Sequence, residues 1–295
     1  MSSSISQAVA EKSSTLQESG VAEPGLTARL LMAYVLGRDR SYLYAHPEER
    51  LSVDKLNQFN DLIRRRASGE PLQYITGHQE FYGLDFKVTP AVLIPRPETE
   101  LIIDQVLKLS QPSDPAQPKG GQALIIDVGT GSGCIAVTLA VKLRWARMIA
   151  IDISEAALEI AAFNARQHGV FARIDFVQSN LFEQLRAKPP IPQVDFIVSN
   201  PPYVPLRDRA TMQREVIEHE PHLALFAEED GLLFYRRLFA EAGDYLKKDG
   251  KLIVEIGINQ LPKIENMAHK SGLRLEEITN DLQGIPRTLT LKVAP

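Results

Sequence analysis

The chain contains 295 residues, of which 44% are hydrophobic and 24% are charged, and its net charge is -4. These values are ordinary for a globular protein and exclude a wholly disordered, collagen-like or coiled-coil chain. They also exclude a strong overall positive field of the kind that attracts nucleic acid. The single cysteine, Cys134, cannot form an internal disulfide, so we expect a reducing, cytoplasmic environment.

The N-terminal part of the chain predicts a polar extension followed by a helical domain. Residues 1–22 are polar and rich in serine, which indicates a flexible extension with at most a weak helix. Residues 23–77 carry apolar side chains at three- and four-residue spacing, as amphipathic helices do. We interpret the basic cluster Arg64–Arg66 as a solvated helix face, and a partner-binding patch is the alternative.

A hairpin and a further helix are predicted next. Residues 78–95 contain two short strand-like runs around Gly83, which predict a β-hairpin linker. Pro97 suits the first position of a helix, and the acidic residues that follow it favour the helix dipole. The run from residue 111 to 121 is rich in proline and glycine and predicts a loop.

The rest of the region 96–295 alternates strand-like and helix-like runs. Such alternation is typical of an α/β fold with a mostly parallel sheet that helices cover on both faces. The predicted strands are Ala123–Val128, Met148–Ile151, Ile174–Val177, Asp195–Ser199 and Leu252–Ile256, and the predicted helices are Cys134–Leu143, Glu155–Gln167 and Gly231–Leu246. Two last strand-like runs, Arg274–Ile278 and Thr288–Val293, have no helix between them and predict an antiparallel hairpin at one edge.

A glycine-rich loop follows the first of these strands. In the segment Gly129-Thr130-Gly131-Ser132-Gly133, the glycines allow a tight turn and a close approach of the backbone to a ligand. A phosphate-binding loop would need a lysine after it, and the dinucleotide pattern would need glycine where Cys134 stands. The remaining GxGxG pattern resembles the first motif of S-adenosylmethionine methyltransferases. The alternative is a tight turn without a ligand.

Residues after the next two strands are candidate ligand contacts. Asp152 ends the second strand and is positioned to accept hydrogen bonds from both hydroxyls of a ribose, because Ser154 is available to cap the following helix. Asn180 and Leu181 follow the third strand, where they would meet the edge and the face of an adenine. An asparagine turn beside a core leucine is the alternative for this pair.

The fourth strand ends in Asn200, Pro201, Pro202 and Tyr203. Because proline has no N–H and restrains the residue before it, this turn is stiff and presents carbonyl acceptors. The Asn200 side chain and the Pro201 backbone could each accept one hydrogen of an NH2 group, while Tyr203 stacks on a flat substrate. Two acceptors would push electron density toward a weakly nucleophilic amide nitrogen and orient it for methylation. No histidine or carboxylate base is evident, and a rigid turn with a buried tyrosine is the alternative.

The order of these motifs resembles the HemK/PrmC family of protein-(glutamine-N5) methyltransferases over about residues 24–295. The segments that carry the resemblance are Phe81–Gly83, Leu93–Glu100, Asp127–Ala136, Ala150–Asp152, Ser199–Val204, Glu220–Leu225, Asp230–Arg236 and Asp281–Arg287. The resemblance implies a small N-terminal helical domain that docks the substrate, a hairpin linker, and a seven-stranded, mostly parallel Rossmann-like methyltransferase domain.

The resemblance also implies a reaction. S-adenosylmethionine would donate the methyl group and leave as S-adenosylhomocysteine, and the acceptor would be the glutamine of the Gly-Gly-Gln motif in class I peptide chain release factors. The residues implied to bind the donor are Gly129–Gly133, Asp152, Asn180, Leu181 and Asn200. Asn200–Tyr203 would hold the glutamine, and Arg96–Glu100 would border the cleft. No metal, membrane or direct nucleic-acid contact is implied.

Other functions remain open on the sequence alone. A ribosomal-protein glutamine-N5 methyltransferase is a close alternative, and an adenine-N6 nucleic-acid methyltransferase also uses an Asn-Pro-Pro-Tyr turn. The net charge of -4 disfavours the second of these. A nicotinamide-dependent oxidoreductase and a scaffold without activity represent other classes. His219 and His222 lack zinc-site spacing, and we interpret Cys134 as a small buried thiol.

Overall fold

The computed structural model describes residues 3–110, 123–187, 193–228 and 230–294. The chain divides into two compact units, of which the first comprises Met1–His78 and Gln213–His219, and the second comprises Gln79–Met212 and Glu220–Pro295. The expected hairpin linker therefore belongs to the second unit from Gln79 onward. The loop predicted over residues 111–121 lies outside the described residues.

The first unit is built from helices that pack around a shared apolar core. Its helices are α1 (Ile5–Glu18), α2 (Pro24–Leu36), α3 (Arg40–Ala45), α4 (Val53–Ala67) and α5 (Leu72–Thr76), together with the later segment Arg214–His219. Leu31 and Phe59 are fully buried in this core. Ser52 caps α4 by accepting a hydrogen bond from the backbone N–H of Lys55 at 3.3 Å.

The expectation of a flexible extension is wrong for residues 5–18, which form α1. Ser4 caps this helix, since its hydroxyl accepts a hydrogen bond from the backbone N–H of Gln7 at 3.3 Å. Ile5, Ala8 and Leu16 lie on one face and are buried in the core shared with α2 and α4. The helix is stabilised by this packing, which the polar composition of the segment conceals.

The three arginines of the basic cluster differ in their surroundings. Arg64 is exposed, and Arg65 forms an ion pair with Glu70 at 2.5 Å. Arg66 is only 9% exposed and forms an ion pair with Glu215 at 2.6 Å inside the first unit. The interpretation as a solvated helix face is therefore wrong for Arg66.

The second unit contains a hairpin, a large sheet and the helices that cover it. The hairpin pairs β1 (His78–Phe81) with β2 (Leu84–Lys87). The sheet consists of β3 (Leu124–Val128), β4 (Arg147–Asp152), β5 (Ile174–Gln178), β6 (Val194–Ser199), β7 (Leu246–Glu255), β8 (Leu273–Asn280) and β9 (Pro286–Val293). The helices that complete the chain order are α6 (Glu100–Ser110), α7 (Cys134–Lys142), α8 (Glu155–Gln167), α9 (Glu183–Arg186), α10 (Arg214–His219, in the first unit), α11 (His222–Leu225), α12 (Leu233–Ala242) and α13 (Leu261–Lys270).

The seven strands follow the order β5-β4-β3-β6-β7-β9-β8. The pairs from β5 to β7 are parallel, whereas β9 is antiparallel to both β7 and β8. This arrangement confirms the predicted mostly parallel sheet and its antiparallel edge hairpin. Because the strand order reverses between β3 and β6, the loops that follow these two strands meet at the switch point, where α/β sheets bind ligands.

Consecutive residues of the central strand contribute to two separate cores. Ile125 packs in a cluster with α6, α7 and the hairpin residues Phe81 and Phe86. Ile126 packs in the other cluster, with Tyr235 of α12 and Ile264 of α13. The sheet is therefore buried on both faces, as expected for parallel strands. None of the helices in the described ranges is long and apolar enough to span a membrane.

Candidate active site

A cavity of about 370 Å³ lies at the carboxyl edge of the sheet in the second unit. This volume is in the range of pockets that bind small organic molecules. The predicted site residues that line it are Gly129, Thr130, Gly131, Ser132, Asp152, Asn180, Leu181, Asn200 and Pro202. Three other predicted site residues, Gly133, Pro201 and Tyr203, are not among the described residues that line this cavity.

The glycine loop after β3 is shaped by left-handed backbone conformations. Gly129 and Gly131 have φ angles of 77° and 54°, and a Cβ added to either would meet nothing within 4 Å. A Cβ on Gly133 would stand 3.0 Å from the Cβ of Ala161 on α8. The first two glycines therefore leave open space beside the cavity, whereas Gly133 allows close packing of the loop on a helix.

Asp127 supports the loop from inside β3. Its Oδ2 accepts hydrogen bonds from the Thr130 hydroxyl at 2.6 Å and from the backbone N–H of Ala136 at 3.2 Å. Burial raises the pKa of Asp127 to about 7, although both hydrogen bonds favour the ionised form. Asp127 therefore connects the glycine loop to the start of α7 through hydrogen bonds.

Asp152 ends β4 and contacts the same glycine loop at the cavity wall. Its carboxylate accepts hydrogen bonds from the backbone N–H groups of Gly131 at 2.8 Å and Ser154 at 2.9 Å. Burial raises the pKa of Asp152. Ser154 itself caps α8 by accepting a hydrogen bond from Ala157, as the sequence predicts. The carboxylate oxygens of Asp152 keep further lone pairs for a ligand at the cavity wall.

Asn180 and Leu181 follow β5 and both line the cavity. Leu181 is 4% exposed and has a φ angle of 54°, a conformation that non-glycine residues seldom adopt. Such backbone strain costs about 1–3 kcal/mol and is concentrated at functional sites. The turn therefore holds an apolar side chain and an amide side by side at the wall.

The Asn200 side chain is held by a residue that the sequence analysis did not single out. Its Nδ2 donates a hydrogen bond to the Oγ1 of Thr99 at 2.8 Å. Thr99 is 2% exposed and lies in the turn of Pro97–Thr99 that precedes α6. Because Nδ2 faces Thr99, the Oδ1 of the same amide faces away from Thr99 and is available to accept hydrogen bonds.

Glu255 is a second residue that the sequence analysis missed. Its Oε2 accepts a hydrogen bond from the Thr99 hydroxyl at 2.7 Å, and its Oε1 accepts one from the Tyr203 hydroxyl at 3.1 Å. The side chain is 1% exposed, and burial raises its pKa to about 7. Burial also raises the pKa of Tyr203, a residue that lines a neighbouring cavity and not the one described above. The geometry thus favours a role for Tyr203 in holding the turn over the expected stacking role.

The turn is anchored at its far end by Gln260. The Nε2 of Gln260 donates to the carbonyl oxygen of Tyr203 at 2.9 Å, while its Oε1 accepts from the backbone N–H of Gly257 at 3.0 Å. The next residue, Val204, forms an isolated parallel β-bridge with Phe226. These contacts fix the Asn200–Tyr203 segment on both sides.

The Arg96–Glu100 segment borders the cavity as expected, through Arg96 and Thr99. Arg96 forms an ion pair with Glu220 at 2.5 Å, and Glu220 is 4% exposed. Glu220 also accepts a hydrogen bond from the backbone N–H of Ile94 at 3.3 Å. The buried carboxylate of Glu220 therefore holds the partly exposed guanidinium of Arg96 beside the cavity.

Among the residues discounted in the sequence, Cys134 lines the cavity at the start of α7. His219 belongs to the first unit and His222 to the second. Within the described part of the chain, no group of three His, Cys, Asp or Glu side chains is arranged to hold a metal ion. Cys134 is buried, and burial raises the pKa of its thiol to about 12, so it is not a thiolate at neutral pH.

Protein-family models match both parts of the chain. The PrmC N-terminal domain matches residues 7–77, and a methyltransferase domain matches residues 121–281. The first match begins within α1, so this helix belongs to the family's domain and is not an added extension.

Curated relatives cover nearly the whole chain. The release factor glutamine methyltransferase of Koribacter versatilis (strain Ellin345) is 43% identical over 93% of this chain and 93% of that protein. The release factor glutamine methyltransferase of Geobacter sulfurreducens is 40% identical over 93% of this chain and 91% of that protein. The chain also spans 58% of a longer bifunctional methyltransferase of Rickettsia felis, at 36% identity over 98% of its own length.

Solved structures with the same fold are more distant in sequence. The catalytic domain of hMettl16 in complex with MAT2A 3′UTR hairpin 1 has a TM-score of 0.56 at 16% identity, covering 89% of this chain and 93% of that chain. A human methyltransferase 10 domain containing protein has a TM-score of 0.50 at 19% identity, covering 81% and 98%. At this identity the likeness concerns the fold alone.

Proposed function

Because the chain belongs to the family of release factor glutamine methyltransferases, we propose that it methylates the side-chain amide nitrogen of a glutamine in a peptide chain release factor. The methyl donor is S-adenosylmethionine, and the acceptor is the glutamine of the Gly-Gly-Gln motif in class I factors. The observation that carries the proposal is the orientation of Asn200, whose Nδ2 is bound to Thr99 at the wall of the cavity.

The lining residues fit S-adenosylmethionine. Gly129 and Gly131 leave open space where a side chain would stand, and Asp152 offers carboxylate oxygens to ribose hydroxyls. Asn180 and Leu181 offer an amide and an apolar surface to the adenine. When bound, this sulfonium compound supplies a methyl group that is already activated for transfer.

Asn200 and Pro201 prepare the acceptor nitrogen. A carboxamide nitrogen is a weak nucleophile because its lone pair is delocalised into the carbonyl group. The Oδ1 of Asn200 accepts one amide hydrogen, and the backbone carbonyl of Pro201 accepts the other. These two acceptors hold the NH2 group in place and stabilise the positive charge that develops on nitrogen. Once the nitrogen has taken the methyl group from the sulfonium donor, it carries a positive charge and gives up one of its two protons to solvent.

The N-terminal helices and the cellular location complete the proposal. We assign docking of the release factor to the helices of residues 23–77, which the PrmC N-terminal domain model matches together with most of α1. We also propose a cytoplasmic location, in line with the single free thiol of Cys134.

The identity of the acceptor is tested by label transfer. The wild-type protein is incubated with methyl-labelled S-adenosylmethionine and, in separate reactions, with a class I release factor, ribosomal proteins, DNA or RNA. We expect label on the release factor, and a loss of about 100-fold in kcat for Asn200→Ala. Asn280→Ala, at an exposed asparagine of β8, is the matched control. Label on ribosomal protein or nucleic acid alone would contradict the proposal.

A further inference from the structure

Glu255 is linked to both ends of the Asn200–Tyr203 turn, directly to Tyr203 and through Thr99 to Asn200. Its two carboxylate oxygens accept hydrogen bonds from the hydroxyls of Thr99 and Tyr203, and Thr99 in turn binds Asn200. We propose that Glu255 is a positioning residue, which fixes the Asn200 amide through Thr99 so that the carbonyl oxygen of Asn200 meets the substrate NH2 group. This inference rests on the proposed glutamine methylation.

The hydrogen bonds run in one direction along this chain of residues. An ionised carboxylate only accepts hydrogen bonds, so the Thr99 hydroxyl must donate to Glu255. The lone pairs of Thr99 Oγ1 are then free to accept from the Nδ2 of Asn200, as observed at 2.8 Å. The amide therefore presents its oxygen, an acceptor, on the side away from Thr99.

Protonation of Glu255 would remove this constraint. A neutral carboxylic acid can donate to Thr99, and the Thr99 hydroxyl is then free to donate to the oxygen of Asn200. With the amide turned in this way, Asn200 would present its own NH2 group to the NH2 group of the substrate. Two donors facing each other cannot form the hydrogen bond that the reaction needs, so methyl transfer requires the ionised form of Glu255.

The surroundings of Glu255 make this ionisation relevant near neutral pH. Burial raises the pKa of Glu255 to about 7, although the hydrogen bonds from Thr99 and Tyr203 act in the opposite direction. Ionisable groups from five surrounding segments interact electrostatically with Glu255. They are Glu98, Cys134, Tyr203, Tyr235 and Arg287. Of these, Glu98 raises the pKa and Arg287 lowers it. The fraction of ionised Glu255, and with it the rate, should rise as pH increases through about 7.

The test compares the full-length wild type with Glu255→Gln, Thr99→Val and Thr99→Ser in release factor methylation. Both Glu255→Gln and Thr99→Val should lower kcat by about 10- to 100-fold, with KM changed by less than about threefold, because the Asn200 amide loses its orientation while the turn remains in place. Thr99→Ser keeps the hydroxyl and should retain most of the activity. The double variant Glu255→Gln/Thr99→Val should be no slower than the slower single variant, since both act through one contact.

The pH profile separates positioning from a merely structural role. The wild-type kcat should rise through about pH 7, and Glu255→Gln should lose the part of this rise that Glu255 causes, while Asp127 and Asp152 are present in both proteins. Binding of S-adenosylhomocysteine by calorimetry verifies that each variant is folded. Unchanged kcat and pH profile in Glu255→Gln, or equal rates for Thr99→Val and Thr99→Ser, would overturn the inference. A wild type that transfers no label to release factor would instead contradict the proposed function.

Discussion

Gly231 packs closely against the end of the Asn200–Tyr203 turn. A Cβ on Gly231 would stand 2.4 Å from the carbonyl oxygen of Tyr203, and Gly231 has a φ angle of 73°. Gly272 has the same φ angle of 73°, but a Cβ there would meet nothing within 4 Å. The two glycines therefore share the conformational requirement and differ only in the collision.

Replacement of these two glycines by alanine should separate the two effects. We expect Gly272→Ala to lower the free energy of unfolding by about 1 kcal/mol, through backbone strain alone. Gly231→Ala should lower it by at least about 2 kcal/mol more, because the Tyr203 carbonyl must move. Urea-induced unfolding measures both values. Equal losses would mean that the turn yields to the added methyl group without strain.

Asp152 should contribute to binding of the donor. Asp152→Ala removes the proposed acceptor of ribose hydroxyls and the partner of the Gly131 N–H, so the Kd for S-adenosylhomocysteine should rise about 10- to 100-fold. Asp175→Ala, at an exposed aspartate of the neighbouring strand β5, should leave the Kd unchanged. Isothermal titration calorimetry gives both constants. A similar Kd in the wild type and Asp152→Ala would remove the residue from the binding site.

At the scale of secondary structure, α1 is the element whose stability is easiest to test. Leu16 is fully buried in the helical core, whereas its neighbour Gln17 is exposed. We expect Leu16→Ala to lower the free energy of unfolding by about 2–5 kcal/mol, as for other buried leucines. Gln17→Ala should have little effect, because alanine is a good helix former. If Leu16→Ala had little effect on the free energy of unfolding, α1 would not be packed stably in the core, and the flexible extension that its composition indicates would be the better description.

The elements that the sequence predicts share a strong local signal. The runs that form β3 to β6 are apolar and end in glycine or polar residues, and the closing hairpin lacks a helix between its strands. The helix α1 lacks such a signal, because most of its residues are polar, and its buried face becomes evident only when it packs against α2 and α4. Propensity is weak in such segments, and tertiary packing decides them.

The site residues, like the elements, could be predicted only where the local sequence carries a signal. Asn200 could be predicted because a rigid turn of adjacent prolines surrounds it. Glu255 stands within an apolar strand, and its contact with Thr99 joins residues that are 156 positions apart. A contact of that separation leaves no pattern in the local sequence. The sequence predicts stacking for Tyr203 and gives no sign of Glu255, which accepts a hydrogen bond from the Tyr203 hydroxyl.

For the whole molecule, buried carboxyl groups should make stability depend on pH. Burial raises the pKa of Asp127 from 3.8 to about 7, so the folded protein binds a proton there that the unfolded chain releases. The stability from this group is present at low pH and is lost as pH rises through about 7. Between about pH 5 and about pH 8 this loss amounts to about 2–3 kcal/mol.

Comparison with Asp127→Asn isolates this contribution, since the other titrating groups are common to both proteins. The stability of the wild type relative to Asp127→Asn should fall as pH rises over that range, whatever the absolute effect of the substitution. Chemical denaturation at several pH values measures the difference. A difference that is constant with pH, or that grows in favour of the wild type, would mean that Asp127 does not titrate near neutral pH.

The most direct measurement is mass spectrometry of a class I release factor after incubation with S-adenosylmethionine and this protein. We predict that the Gly-Gly-Gln peptide gains the mass of one methyl group, and that fragmentation assigns the methyl to the glutamine side-chain amide. Asn280→Ala should give the same product, and Asn200→Ala should give almost none. An unmodified glutamine, or a methyl group on another residue of the factor, would contradict the assignment of Asn200 and its turn to this reaction.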